Sequence, residues 1–112
     1  MFETRSFAGS AQGLADHLDK AITGGSVSAS LESGEELTLG DARMIVRTYE
    51  RYSFAGGNRV SLFVSILAVG DRLEVALSTA GGSEAMFWKI NTFGEAAFMD
   101  KAVEAVDAFG NL

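Results

Sequence analysis

Across residues 26 to 91 apolar and polar side chains alternate with period two, and the alternation breaks where glycine stands in a turn-like setting. The breaks are Ser33-Gly34, Gly40-Asp41, Ala55 to Asn58, Gly70-Asp71 and Ala80 to Ser83. A period of two belongs to strands, whose successive side chains point to opposite faces. Val27, Ala29 and Leu31 open the series, Leu37 and Leu39 follow, and Met44, Val46 and Thr48 alternate with Arg43, Ile45, Arg47, Tyr49 and Arg51. The run 60–69, the segment "RLEVALST" and the segment "EAMFWKIN" complete six strands. "FETRSF" at the start adds another, and no proline interrupts any of them.

Two amphipathic segments complete the chain. In residues 10 to 23, Ser10 supplies an N-cap oxygen, Leu14, Leu18 and Ile22 recur at every fourth position, and Gly24-Gly25 ends the pattern. In "TFGEAAFMDKAVEAVDAF" the spacing of Thr92 and Glu95 is that of a capping box. Phe98, Ala102, Val106 and Phe109 then form one stripe, broadened by Met99 and Val103, with Asp100, Lys101, Glu104 and Asp107 on the wet side. The stripe needs a surface to bury against, and the strands provide it. The expectation is a single α+β domain over residues 1–112: a curved antiparallel sheet of order β-α-β6-α, packed on one face by two helices, chiefly the C-terminal one.

In an antiparallel meander successive turns fall at alternating ends of the sheet. Ser33-Gly34 and the two Ala-Gly-Gly loops therefore share one end, and the two Gly-Asp turns share the other. Glycine's freedom at positive φ explains both Ala-Gly-Gly loops as hairpin connections. The alternative is an anion-holding concavity of backbone N–H groups, with Asn58 and Arg59 beside it.

Composition removes several function classes. The formal charge of -6 opposes long-range attraction to nucleic acid. With no cysteine and one histidine, His17, thiol chemistry, zinc thiolate sites and two-imidazole metal sites are excluded. The opening "MFETRSFAGS" lacks a secretory pattern, and "VSLFVSILAV" is about half of a membrane-spanning length, so a soluble cytoplasmic protein is expected.

Arg43, Arg47 and Arg51 fall on one face of one strand, with Ile45 and Tyr49. They could grip a carboxylate or phosphate, or pair across strands with Glu32, Glu74 or Glu3. Phe63, Leu67 and Val69 are assigned to the same outer face, which makes it partly apolar and suggests a homodimer formed through it. His17 reads as a partly packed residue, Trp88 as core filling, and Glu50 as an ion-pair partner. No group is activated for catalysis, and no cofactor or metal site is assigned.

"ERYSFAGGNRVSL" and "GGSEAMFWKINTFGE" together resemble a small family of bacterial domains of unknown function, of about this length. The resemblance implies a bacterial, intracellular, single-domain protein and transfers no catalytic role. The element order is also similar to a shortened helix-grip domain, an analogy of topology alone. The leading reading is a noncatalytic binding or interaction module. The alternative is a small anionic-ligand pocket or weak enzyme built from Arg47, Tyr49, Arg51, Asn58 and Arg59.

Overall fold

A computed structural model describes residues 1–25, 28–52, 59–81 and 88–111, with the backbone alone for 88–93. The element order is β1 (Phe2–Ala8), α1 (Ala11–Gly24), β2 (Ser30–Leu39), β3 (Ala42–Tyr52), β4 (Arg59–Val69), β5 (Arg72–Gly81) and α2 (Trp88–Gly110). The strands form one open antiparallel sheet in the order β1-β5-β4-β3-β2, so the first strand returns to pair with the last. Both helices lie on one face: α2 over β5, β4 and β1, and α1 over β3, β2 and β4, with the two helices in mutual contact.

The helices form for the expected reasons. Ser10 accepts a hydrogen bond from the Gly13 backbone N–H at 3.0 Å, capping α1, and Leu14, Leu18 and Ile22 are fully buried. On α2, Phe98, Met99, Ala102, Ala105 and Val106 are buried against the sheet. They meet Leu62, Val64 and Ile66 of β4 and Leu73, Val75 and Leu77 of β5 in one continuous core. The Gly-Asp turns are two-residue hairpins with positive φ at the glycine alone, 57° at Gly40 and 60° at Gly70, the type II′ pattern.

Two of the six strands expected between the helices are not separate strands. Ser33-Gly34 is no turn, because β2 runs straight through it with a register shift between Leu31 and Ser33. The glycine is there for close approach: a Cβ on Gly34 would lie 3.0 Å from Nη1 of Arg47, whose side chain crosses β2 at that point. The second correction concerns "EAMFWKIN". Residues 84–87 lie outside the described residues, and from Trp88 onward the chain is helical. A short apolar run fits a strand or a helix equally well, and here the helix continues the α2 pattern.

Helical backbone from Trp88 also removes the expected capping box, since Thr92 stands inside the helix. Glu95 serves the sheet instead, accepting the Gly81 backbone N–H at 2.8 Å where β5 ends. Of the loops expected at one end of the sheet, residues 53–58 lie outside the described residues, as do Gly82 and Ser83. The strand ends that flank them are adjacent, since Tyr52 pairs with Arg59 and Val60 with Gly81.

Candidate interaction surface

The sheet register decides which side chains share a face. Arg43 stands opposite Ala68, Arg47 opposite Val64 and Arg51 opposite Val60, so the arginine row lies on the helix side. Phe63, Leu67 and Val69 point the other way, with Met44, Val46 and Thr48 of β3. Placing the arginines and Phe63, Leu67 and Val69 on one face was therefore incorrect. β3 and β4 are joined by six residues rather than a tight hairpin, so loop length left their relative register open.

On the helix side each arginine is drawn into packing. Arg43 bridges to Glu36 on β2 and donates from Nη2 to Oε1 of Gln12 on α1 at 3.1 Å. Arg47 donates from Nε to Oδ1 of Asp19 at 3.3 Å, and the buried Tyr49 hydroxyl donates to the same oxygen. Asp19 thus clamps α1 to β3, a role that its place among the polar residues of the helix did not reveal. Burial, then the hydrogen bond to Asp19, raises the Tyr49 pKa far above the ordinary phenol value, so this hydroxyl stays a donor and is no base. Arg51 lies over the Phe98 ring at 4.6 Å from its centroid, and burial draws its pKa below the usual value.

Of the residues expected to form an anion site, the described ones do not all share a face. Arg47, Tyr49 and Arg51 belong to the helix side, whereas Arg59 belongs to the outer side, 2.6 Å from Glu50 and 3.8 Å from Glu32. Asn58 lies outside the described residues. None of the carboxylates expected to partner the arginine row does so, although Glu50 is an ion-pair partner as expected. His17 joins the helices, its Nε2–H donating to the Ala105 carbonyl at 3.0 Å and its ring packing on Phe109. Trp88 is placed in α2 by its backbone alone. Among the described residues no three His, Asp or Glu groups gather as a metal site requires, and no helix is long and apolar enough to cross a membrane.

The outer face is different in kind. Leu67 is flanked by Met44 and Glu74, Ser65 by Val46 and Ala76, and Phe63 by Thr48 and Ser78, giving three cross-strand rows whose β3 and β4 members carry no charge. Phe63 remains 43% exposed, Leu67 37% and Val69 51%. Leu37, Leu39, Ala42, Met44 and Leu67 shape a shallow apolar groove of about 250 Å³ at the end nearest the Gly-Asp turns. The charges sit around this centre: Arg59 with Glu50 and Glu32 at one end, and Glu74 bonded to Ser6 toward β1. A charge-depleted middle with a polar rim is the anatomy of a protein interface.

The architecture defines an α+β domain with a five-stranded antiparallel open sheet, covered by two helices on one face and, among the described residues, uncovered on the other. Over residues 2–110 the chain matches the model of a family of unknown function (DUF6054), and it belongs to that family. No curated protein matches it.

Proposed function

We propose that this domain is a noncatalytic interaction module that forms a homodimer by stacking the outer faces of two sheets. The observation that carries this reading is the uncharged centre made by Met44, Val46, Phe63, Ser65 and Leu67. Strands spaced ~4.8 Å apart and rising ~3.3 Å per residue give a face on the order of 800 Å² for a sheet of this size. Each partner in a stable interface contributes about that area. Each copy carries -6, so the protomers repel at long range while the meeting surfaces do not. Association through this face should therefore strengthen with added salt, whereas ion-pair-driven association would weaken.

Light scattering coupled to size exclusion tests it. The expected result is a dimer at ~100 μM, converted to a monomer by Phe63→Lys with Leu67→Glu and left intact by Glu104→Gln on the exposed side of α2. A wild-type chain that stays monomeric at this concentration in high salt would overturn the reading.

A second reading, a small anionic ligand, is favoured only by Arg51. Its guanidinium stacks on Phe98 with no carboxylate partner among the described residues. Thermal shift against phosphate and citrate, compared with Arg51→Gln, checks it: equal melting of the two proteins in both anions removes it. An intracellular, bacterial setting belongs to the main reading, and what supports it is the family resemblance of "ERYSFAGGNRVSL" and "GGSEAMFWKINTFGE". The shortened helix-grip analogy fits the pairing of the first strand with the last.

A further inference from the structure

The register fixes the outer face row by row. Beside Val69 stand Ala42 on β3 and Leu39 on β2, beside Leu67 stand Met44 and Leu37, and beside Ser65 stand Val46 and Glu35. On the other side of β4 the same rows continue as Arg72, Glu74 and Ala76 of β5. Apolar side chains therefore fill one corner of the face, over β2, β3 and β4 beside the Gly-Asp turns, and the groove of about 250 Å³ lies there. Leu37 is 62% exposed and Leu39 84%, so the corner stands in water in the single chain. Charges bound it: exposed Arg72 and Glu74 along β5, Glu35 on β2, and Arg59 with Glu50 and Glu32 at the far end.

Two identical sheets stacked face to face have their two-fold axis in the plane between them, and these charges restrict its direction. An axis across the strands lays β5 over the partner's β5 and encloses Arg72 and Glu74 between the sheets. An axis along β4 lays β5 over the partner's β3, with Glu74 on Met44 and Arg72 on Ala42. A right-angle crossing centred on Met44 carries Glu74, two strands away, over the same strand. Each takes charge out of water without supplying a partner, which is costly. An axis along β3 does not, because β5 then projects past the partner's β2 into solvent.

We propose, resting on the stacked dimer above, that its two-fold axis runs along β3, so that the apolar corner of each chain closes on the same corner of a second copy while β1 and β5 stay in water. In this arrangement β4 lies over the partner's β2. Val69 covers the partner's Leu39, Leu67 covers the partner's Leu37, and the Ser65 hydroxyl faces the partner's Glu35, to which it donates. Met44 meets its own image on the axis, where an unbranched, adaptable side chain fills the two facing grooves. Aligned sheets cross at about 30°. Pivoting at Met44 therefore parts the two Arg59 clusters, which lie eight residues along the strand from Leu67, by about 13 Å. Three of the five strands overlap, roughly 500 Å² per chain, so the dimer belongs with the weak, reversible interfaces.

The test on the wild-type protein is an NOE measurement in an equal mixture of methyl-labelled and unlabelled chains, filtered to pass only signals between the two. Leu39 to Val69 and Leu37 to Leu67 signals are expected. Signals between chains that involve Ala76 of β5 in their place overturn the axis and leave the stacked dimer standing, whereas a mixture without any outer-face signal removes both. Substitutions give a second readout. Leu39→Lys, at a position exposed in the single chain, should raise the dimer dissociation constant about tenfold or more. Ala76→Lys, or Thr4→Lys where that variant does not fold, lies on the same face outside the overlap and should change it less than about twofold. Loss of the dimer in Ala76→Lys or Thr4→Lys, or indifference to Leu39→Lys, overturns the proposal.

Discussion

Along β4 the even-numbered residues Val60, Leu62, Val64, Ile66 and Ala68 are all buried, while Phe63, Leu67 and Val69, alternating with them, are about half exposed. The two sets are similarly apolar, so composition does not explain the difference. What separates them is the layer above: two helices seal one face, and among the described residues no element packs on the other. Polar groups divide by the same rule. On the covered face Arg47, Tyr49 and Asp19 converge on one carboxylate oxygen, because groups removed from water must find partners. On the bare face the charges lie at the margins, paired or solvated.

The largest effect should come from the covered face. Leu62→Ala removes a fully buried side chain and is expected to cost about 3 kcal/mol in urea unfolding, whereas Leu67→Ala on the other side of the same strand should cost about 0.5 kcal/mol in dilute protein. Equal costs at low concentration would erase the distinction between the faces. Asp19→Asn comes next, at about 1–3 kcal/mol, because it leaves Arg47 and Tyr49 without their shared acceptor charge.

The buried Tyr49 also gives a pH signature. Its pKa is raised in the folded protein, so the unfolded chain loses the phenolic proton first, and the contribution present below ~10 is lost as the pH rises beyond it. Stability should decline above that pH in wild type and less steeply in Tyr49→Phe, as followed by chemical denaturation at stepped pH. A smaller effect of opposite sign is expected at Thr79, a buried hydroxyl on the covered face with no hydrogen-bond partner among the described residues. Thr79→Val keeps the shape and removes the unpaired oxygen, and it should stabilise by about 0.5–1 kcal/mol, seen as a higher Tm.

Much of this arrangement was legible in the residues. Ser10, the Leu14-Leu18-Ile22 stripe and the α2 stripe predicted both helices, and the two Gly-Asp dipeptides predicted tight hairpins that fix the pairing of β2 with β3 and of β4 with β5. The misreadings share a cause. Gly34 was taken for a turn because a glycine needed for a neighbour's side chain looks the same, in one dimension, as a glycine needed for a bend. "EAMFWKIN" was taken for a strand because so short an apolar run does not separate a period of two from one of 3.6, and from Trp88 onward it is helix. Arg59 falls on the other face from Arg47, Tyr49 and Arg51 because a six-residue connection does not set the register between β3 and β4, and a slip of one residue exchanges the faces.

Local chemistry written into the chain thus determined the helices, the Ser10 cap of α1, most of the strands and the excess of apolar strand surface, since each depends on neighbours a few positions away. Which apolar surface the helices would cover, and hence which of two similar faces they left uncovered, was decided only when strands distant in sequence came into register. Burial is a property of assembled layers, and no short stretch of sequence contains the layer that will lie above it.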